Sequence, residues 1–259
     1  MAVYGEKIMV DPTLLPADLN CAPHQLLQFS AVFAALLKAI HRLKLFYGGD
    51  PLVESSQRPF PYLNTFRPLD SDSQRIHFTY ASALFPNTGY LLFVANTTAK
   101  GYGSLLVKFC RQYGKDAHLR CGELGIAPKL VGFENLPDGW CAVVMEHLPL
   151  SFKMLSMLTS EATLKLKGRV MDAVQRMHNA GFVHGDLRDI NILVDVTANN
   201  NDVKIVDWDW AGCPGSVEYP ISINPEVPRA AAVRGGMTIE IAHDMETVGM
   251  IFNDLLWYK

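Results

Sequence analysis

The stretch VHGDLRDINILV, Val183–Val194, places one histidine, two aspartates and one asparagine inside a frame of valine, leucine and isoleucine. Asp186 and Asn191 lie five positions apart in this frame, and Asp207 follows sixteen residues after Asn191, at the end of the apolar run KIVD. Burying an unpaired carboxylate is unfavourable unless a cation or hydrogen bonds compensate it. We therefore expect these three oxygen-bearing side chains to converge on one site.

A hard, oxygen-binding cation such as Mg²⁺ would compensate two carboxylates and an amide. The alternative is that Asp186 and Asp207 cap turns and form surface ion pairs, and for either residue alone this is the simpler interpretation. Lys108 argues against it, because LLVKFC places this lysine at the centre of a β-type run, where it needs an anionic partner or a route to water. The order of cation, acid and metal-type loop along the chain is more specific than any single residue.

The composition excludes several classes of protein. The chain has 259 residues, 49% of them hydrophobic, with a formal charge of -3 and scattered Lys and Arg, which does not favour nucleic acid as a partner. No apolar run approaches the roughly 18 to 20 residues of a membrane span. The start of the sequence does not resemble a secretory signal. The five cysteines lack C-x-x-C spacing and are expected to be reduced, so we expect an intracellular protein, cytoplasmic or nuclear, with no membrane partner.

The first half of the chain is predicted to form a helix, a connector and a sheet. Apolar residues at three- and four-residue steps predict an amphipathic helix over Gln25–Phe46, whose stripe we expect to pack within its own domain. The connector from Gly48 to Ser73 is rich in Pro, Ser and Asp, and apolar residues such as Phe66 are expected to fix it to a surface. The runs RIHFTYASALF, GYLLFVANTT and GSLLVKFC, separated by turn sequences, predict an antiparallel meander. A helix over QYGKDAHLRCGELG and two strands, PKLVGFEN and WCAVVMEHL, follow.

The second half is predicted to be mainly helical. Apolar periodicity predicts a helix over Ser160–Ala180, with Gly181 as a left-handed stop. After the quoted stretch, DVTANNND predicts a polar hairpin, and VKIVDWDWAG predicts a strand. An α+β fold with a sheet-rich lobe followed by a helical lobe is the expected architecture.

Lys108, the H-x-D-x-x-x-x-N spacing and Asp207 together resemble the signature of the protein-kinase-like superfamily. The resemblance implies that Lys108 pairs with the phosphates of ATP and that Asp186 is the catalytic base or hydroxyl-orienting group. It also implies that Asn191 and Asp207 hold Mg²⁺. His184 is implied to be a structural residue that packs and bonds to the backbone; the alternative is a general base, since imidazole titrates near neutrality.

Further matches extend the resemblance from about Arg75 to Asp244. VVMEHL resembles the hinge of kinases, with Met145 at the gatekeeper position and the backbone of Glu146 to Leu148 facing adenine. Asp244, in HDMETV, corresponds to the aspartate that braces the catalytic loop from below. By this resemblance the hinge residues bind the nucleotide and Asp244 supports the site.

The sequence departs from the family at several places. No G-x-G-x-x-G separates the first two strands, and Gly89 in LFPNTGYLLF is the glycine found there, so backbone donation to the phosphates is reduced or differently arranged. H-G-D replaces H-R-D, as in small-molecule kinases and some atypical protein kinases, so control by activation-loop phosphorylation is not expected. Arg188 lies where serine/threonine kinases have a lysine near the transferred phosphate, and it can supply the same charge.

Two further assignments concern acidic residues. D-W-D replaces D-F-G, and we interpret Asp209, in the place of the glycine, as a turn residue rather than an acid that supports the site. The partner of Lys108 is expected in the following helix, at Asp116 or Glu123. We choose Asp116, which lies earlier in that helix and twelve residues before Pro128.

The motifs YGKDAH, GIAPKLVG, VVMEHL, HGDLRDINILV, DWDWAG and HDMETV are most similar to fungal-type kinase-like proteins. The resemblance implies a bilobal α+β fold: an N-terminal helical extension and connector over 1–74, a five-stranded antiparallel N-lobe with one helix and the hinge over 75–149, and a truncated helical C-lobe over 150–259. It implies an ATP- and Mg²⁺-dependent phosphotransferase acting on a hydroxyl of a protein. The alternatives are a pseudokinase that acts as a scaffold and a small-molecule kinase.

Overall fold

The computed structural model describes residues 30, 33–41, 63–69, 74–86, 88–197 and 202–254. The chain divides into two units, Met1–Pro59 and Phe60–Lys259.

In the first unit, residues 33–41 form helix α1, inside the helix predicted over Gln25–Phe46, whose two ends lie outside the described residues. The described apolar side chains of α1 are partly exposed: Phe33 is 55% exposed and Ile40 is 40% exposed. The expectation that this stripe packs within its own domain stays a prediction, because most of the first unit lies outside the described residues.

The described part of the connector is fixed to the second unit through Phe66. Strand β1 (Thr65–Phe66) pairs antiparallel with β2 (Ile76–His77). The Phe66 side chain is fully buried. Its ring packs so closely on Gly132 that a Cβ added to this glycine would lie 2.5 Å from the ring. The expected anchoring of the connector is confirmed at this residue.

A five-stranded antiparallel sheet forms the first layer of the second unit. Its strands are β3 (Thr79–Ala83), β4 (Leu92–Asn96), β5 (Ser104–Cys110), β6 (Leu130–Asn135) and β7 (Cys141–Glu146), in the spatial order β3-β4-β5-β7-β6. The meander and the two later strands are confirmed. In β5, alternation buries Leu105, Val107 and Phe109 in an aromatic-rich core and turns Lys108 to the opposite face.

Helix α2 (Lys115–Glu123) crosses the Lys108 face and begins at a close backbone contact. The N–H of Gly114 donates to the Trp208 carbonyl at 2.8 Å, and a Cβ on Gly114 would lie 2.3 Å from the Ala211 carbonyl oxygen. No side chain fits there, so glycine allows α2 to approach the turn Trp208–Trp210.

Two long helices carry the second core. Helix α3 (Ser160–Asn179) is capped by Thr159, whose hydroxyl accepts from the Ala162 N–H at 3.3 Å, and it ends before Gly181, which has a φ of 88°. The helix predicted over Ser160–Ala180 is confirmed. Helix α4 (Ile241–Asp254) packs on α3, and among the described helices none is long and apolar enough to cross a bilayer.

A small three-stranded sheet brings the two ends of the polar site together. Its strands are β8 (Phe152–Met154), β9 (Ile192–Asp195) and β10 (Val203–Ile205), in the order β10-β9-β8. Ile192 pairs with Ile205, and the Val206 N–H donates to the Asn191 carbonyl at 3.0 Å. Asn191 and Asp207 therefore leave the same edge of this sheet.

Two details of this region differ from prediction. Strand β10 ends at Ile205, and Trp208–Trp210 form a 3-10 turn, so the strand expected through DWDWAG is too long. Strand β8 is missing from the sequence prediction, because a three-residue run has too little alternation to be recognised.

His118, in α2, is expected to make stability depend on acid. Its Nε2 lies 2.8 Å from the Pro128 carbonyl and so donates, while Nδ1 lies 2.6 Å from the Tyr113 hydroxyl and accepts. Burial lowers its pKa to about 4. Since the unfolded imidazole titrates near 6.5, this contribution is complete above pH 6.5 and is lost as the pH falls towards 4, by about 3 kcal/mol in all.

Urea unfolding of the wild type and of His118→Gln at pH 7 and pH 4.5 measures this effect. Glutamine keeps one donor and one acceptor without a titrating proton, so its free energy of unfolding should fall less between the two pH values. Equal losses in the two proteins would show that another group is responsible.

Candidate functional site

Asp244 holds the loop that carries the quoted stretch. From the first turn of α4, its Oδ2 accepts from the His184 backbone N–H at 2.7 Å and its Oδ1 from the Gly185 N–H at 2.8 Å. His178 Nε2 lies 3.2 Å from Oδ2, and Asp244 is 1% exposed. One buried carboxylate thus binds two successive backbone donors of the loop.

His184 is fully buried and serves the backbone. The Asp186 N–H donates to His184 Nδ1 at 3.2 Å, so Nε2 carries the proton and donates to the Val206 carbonyl at 3.1 Å. Its ring packs edge-on against Trp208, with centroids 5.0 Å apart. With both nitrogens engaged, His184 links the loop to the end of β10 and has no nitrogen left for proton transfer.

Gly185 sits in the left-handed region, with a φ of 81°. An added Cβ would lie 2.7 Å from Ile239 Cδ1 and 3.5 Å from Trp210 Cβ. This conformation gives a local physical reason for glycine between His184 and Asp186.

Gly185→Ala is expected to lower the free energy of unfolding by about 1 to 2 kcal/mol, since an L residue is strained at this φ and the Ile239 side chain must shift. Gly168→Ala is the matched control, because Gly168 lies in α3 with no atom within 4 Å of the added Cβ. That change should be neutral or stabilising. Urea unfolding compares the two, and equal effects would contradict the assigned strain.

Asp186 and Asn191 form one hydrogen-bonded unit with Arg188. The Asn191 amide donates to the Asp186 carbonyl at 2.9 Å and to Asp186 Oδ2 at 3.0 Å. Arg188 binds the same carboxylate with two donors, Nε to Oδ1 at 2.9 Å and Nη2 to Oδ2 at 2.7 Å. Burial opposes the charge of Arg188, but Asp186 and then Asp207 outweigh it and raise the pKa of Arg188. Arg188 therefore binds Asp186 directly, and the charge of Asp207 also stabilises its guanidinium.

Arg229 is a site residue that the sequence analysis missed. Its Nη2 donates to Asp186 Oδ1 at 2.9 Å, and its guanidinium lies over the Trp210 ring, 5.2 Å from the centroid. The contact joins residues 43 positions apart, and the surrounding VPRAA has no periodicity or spacing that would single out this arginine. No local signal could have found it.

Lys108 binds two acids of one turn. Its Nζ forms ion pairs with Asp207 Oδ1 and with Asp209 Oδ1, the latter at 2.6 Å. The prediction that Asp116 or Glu123 pairs with Lys108 is wrong: Asp116 is exposed on α2, and Glu123 binds Arg120 at 2.8 Å. The interpretation of Asp209 as a mere turn residue is also wrong.

Burial and charge compete in this ion-pair cluster. Burial disfavours the Lys108 charge, but Asp207 and Asp209 outweigh it and raise the pKa of Lys108. Burial likewise opposes ionisation of Asp207, yet the nearby Lys108 charge lowers its pKa. Burial raises the pKa of Asp209 to about 6, against the opposing effect of Lys108. Lys108 and Asp207 are therefore charged at neutral pH, and Asp209 takes up a proton as the pH falls through about 6.

The oxygen donors at this edge fit a Mg²⁺ ion. Both amide hydrogens of Asn191 are taken by Asp186, which leaves Asn191 Oδ1 as the atom available to a cation. Asp207 has a φ of 70° and a side chain that is 38% exposed, and Oδ2 has no hydrogen bond among the described residues. No cluster of three or more His, Cys, Asp or Glu with metal-binding geometry occurs in the described part of the chain. Mg²⁺ usually keeps several waters and needs one or two carboxylates plus substrate phosphates, so this set is sufficient.

The hinge-like segment leaves one backbone donor open. Glu146 donates its N–H to the Lys129 carbonyl at 2.9 Å, and His147 donates to the Ser104 carbonyl at 3.1 Å. Leu148 lies beyond β7, and its N–H meets no acceptor among the described residues. Met145 is 8% exposed and packs with Val143 on the Lys108 side of the sheet. Of the residues expected to face adenine, Leu148 offers the free donor.

The connection between β3 and β4 carries Gly89. Gly89 is exposed, and an added Cβ there would meet nothing within 4 Å. Its described residues contact one another: the Thr88 hydroxyl donates to the Phe85 carbonyl at 2.8 Å, and the Phe85 and Tyr90 rings lie 6.0 Å apart. The fold therefore does not require glycine at this position.

Known proteins were compared with this chain by sequence. No family model matches it. A stretch of 62 residues is 39% identical to the hormonally up-regulated neu tumor-associated kinase homolog B of Xenopus laevis, over 23% of this chain and 9% of that protein. The human hormonally up-regulated neu tumor-associated kinase is 35% identical over 66 residues, 25% of this chain and 9% of that protein. The match thus spans about a tenth of the length of these curated relatives.

Two solved structures share the architecture. Vaccinia related kinase 3 has a TM-score of 0.54 at 17% identity, over 78% of this chain and 71% of that one. The kinase PK-1 of the Cydia pomonella granulovirus has a TM-score of 0.52 at 13% identity, over 70% of this chain and 69% of that one. The chain therefore has an α+β fold of the protein-kinase-like type.

Proposed function

We propose that the chain is an ATP- and Mg²⁺-dependent phosphotransferase that moves the γ-phosphoryl group to a hydroxyl on a protein. The observation that carries this proposal is the charge arrangement in a kinase-like fold. Lys108 is bound to Asp207, and Asp186 is bound to Asn191 and to Arg188. The proposal also includes membership of the fungal-type kinase-like group and an intracellular location, cytoplasmic or nuclear.

The roles follow from the atoms that remain available. Lys108 would move from the two acids onto the nucleotide phosphates, and Asn191 Oδ1 and Asp207 would hold Mg²⁺, which supplies positive charge to the phosphoryl oxygens. The Leu148 N–H would face the adenine edge. The boundaries 1–74, 75–149 and 150–259 are proposed for the extension, the N-lobe with its hinge and the C-lobe.

Asp186 would orient the acceptor hydroxyl and take its proton. The acceptor oxygen forms a bond to the γ-phosphorus, the bond from that phosphorus to the bridging oxygen breaks, and ADP leaves with the electron pair. Arg188 places a positive charge near the transferred group, and most of the rate enhancement comes from positioning and electrostatics.

Nucleotide binding is tested by thermal unfolding with ATP, with and without Mg²⁺. At about 100 times Kd a ligand adds about 3 kcal/mol to the stability of the folded state. We expect a Mg²⁺-dependent rise in Tm for the wild type that is lost in Asp207→Ala. Asp202→Ala, an exposed carboxylate just before β10, is the control and should behave as the wild type.

Phosphoryl transfer is tested by labelled γ-phosphate incorporation into a mixed serine and threonine peptide library. Wild-type incorporation no greater than that of Asp207→Ala would refute the proposal.

A pseudokinase is the second candidate, favoured by two observations. The β3–β4 connection has Gly89 in place of a glycine-rich loop, and Lys108 is held by both Asp207 and Asp209. A nucleotide-blind scaffold would show no shift in Tm with ATP and Mg²⁺. The third candidate, a small-molecule kinase, rests on H-G-D and is disfavoured if transfer occurs with protein acceptors alone.

A further inference from the structure

The carboxylate of Asp186 has no vacant acceptor position. Oδ1 accepts from Arg188 Nε and from Arg229 Nη2, both at 2.9 Å. Oδ2 accepts from Arg188 Nη2 at 2.7 Å and from Asn191 Nδ2 at 3.0 Å. A carboxylate offers about four lone-pair positions, so all of them are taken. An acceptor hydroxyl can donate to Asp186 only after one of these donors has moved.

Arg229 is the donor with the weakest hold on this carboxylate. Arg188 binds both oxygens, and Asn191 is also tied to the Asp186 backbone carbonyl. Arg229 contributes a single hydrogen bond, and it comes from a different segment of the chain. Of the three side chains, Arg229 therefore breaks the fewest hydrogen bonds to Asp186 when it leaves.

A displaced Arg229 still has to remain charged inside the protein. Its side chain is 8% exposed, and its Nη1 reaches the carbonyls of Asn224 and Val227 only at 3.3 and 3.4 Å. Its Nε is buried and has no hydrogen-bond partner. A guanidinium that is buried with an unused donor needs an anion, and it binds carboxylate or phosphate oxygens with two donors.

The local charge favours the same ligand. Asp186 pairs with two guanidiniums, Arg188 and Arg229, and it is the one carboxylate among the described residues that forms an ion pair with Arg229. When an acceptor hydroxyl takes the place of Arg229 on Asp186, an anionic group next to that hydroxyl can take Arg229 itself. A neutral acceptor would leave Arg229 without a counter-ion.

We propose that Arg229 is a specificity-determining residue and that the acceptor is an acidic or phosphorylated peptide, with its anionic group beside the reacting hydroxyl. The inference rests on the proposed function, because it assigns the acceptor of the same reaction. It adds a substrate class and a residue that act together: the acceptor anion binds Arg229 and frees Asp186.

The test uses a set of serine peptides that differ only in the residues beside the serine. These flanking residues are glutamate in one peptide, phosphoserine in another, and alanine or lysine in the remaining two. Fluorescence anisotropy without ATP should show that the wild type binds the acidic and phosphorylated peptides about tenfold more tightly than the alanine peptide, the effect of one charge-assisted contact. In Arg229→Gln the ratio should fall to about one. Arg234→Gln is the matched control, because Arg234 lies in the same segment and binds the carbonyls of Ala231 and Val233.

Either of two binding results would overturn the inference. The wild type could bind acidic and alanine peptides equally, or Arg229→Gln could keep the preference for acidic peptides. If Arg229→Gln does not fold, Arg229→Lys keeps the charge without the two-donor geometry, and its preference should be smaller than that of the wild type. Phosphoryl transfer is read separately with ATP. Preferred binding of acidic peptides without transfer refutes the proposed reaction alone, and equal transfer to acidic and alanine peptides refutes the assigned specificity.

Discussion

Asp186→Asn is expected to lower the rate of phosphoryl transfer by about a thousandfold, which is typical when a positioned general base is removed. Asparagine has nearly the same volume, but it cannot take the proton of the acceptor hydroxyl. Because Asp186 is not among the residues proposed to bind ATP or Mg²⁺, the nucleotide-dependent rise in Tm should persist. Single-turnover transfer and thermal unfolding with ATP and Mg²⁺ measure the two quantities.

The control for this prediction is Asp189→Asn, which changes a carboxylate of the same loop. It should retain transfer within about threefold, since Asp189 is not held by the arginines that bind Asp186. Asp186→Asn also removes the negative charge that faces Arg188 and Arg229, so its stability must be measured. A folded Asp186→Asn protein that binds ATP and transfers phosphate at the wild-type rate would contradict the role of Asp186.

Asp244→Ala is expected to lower the free energy of unfolding by about 3 to 5 kcal/mol, the cost of breaking a buried charged network. The change removes the acceptor for the His184 and Gly185 N–H groups and for His178. All three donors are buried, so water cannot replace the carboxylate. Asp244→Asn keeps one carbonyl acceptor and should lie between the wild type and Asp244→Ala. Urea unfolding followed by circular dichroism measures the differences.

Glu246→Ala on the same helix is the matched control. Glu246 is exposed and accepts one hydrogen bond, from the Ala231 N–H at 2.8 Å, so its loss should cost about 1 kcal/mol or less. Since Asp244 holds the loop on which Asp186 lies, transfer should be lost together with stability. A loss of stability in Asp244→Ala no larger than in Glu246→Ala would show that the loop is held by other contacts.

The longer strands and helices were predictable because their signals are local. β4 and β5 are short, mostly apolar runs between turn sequences, and α3 has a regular apolar face, a capping Thr159 and Gly181 after its end. Such patterns need no knowledge of distant residues. The turn at Trp208–Trp210 was harder, because its tryptophans suggest a strand while Gly114 and α2 determine the backbone path from a distance.

In the candidate site, too, local sequence patterns predict some features and the fold sets the others. The sequence alone predicts the order of the main strands and helices, the α+β class and the polar set of Lys108, Asp186, Asn191 and Asp207, because these follow from spacing and short-range pattern. The partners in the ion pairs depend on the tertiary structure. Lys108 meets Asp209, 101 positions away, instead of an acid of α2, and Arg229 meets Asp186 across 43 positions. Ion pairs act through space and leave no periodicity in the chain, so the fold had to bring these charges together before their partners could be known.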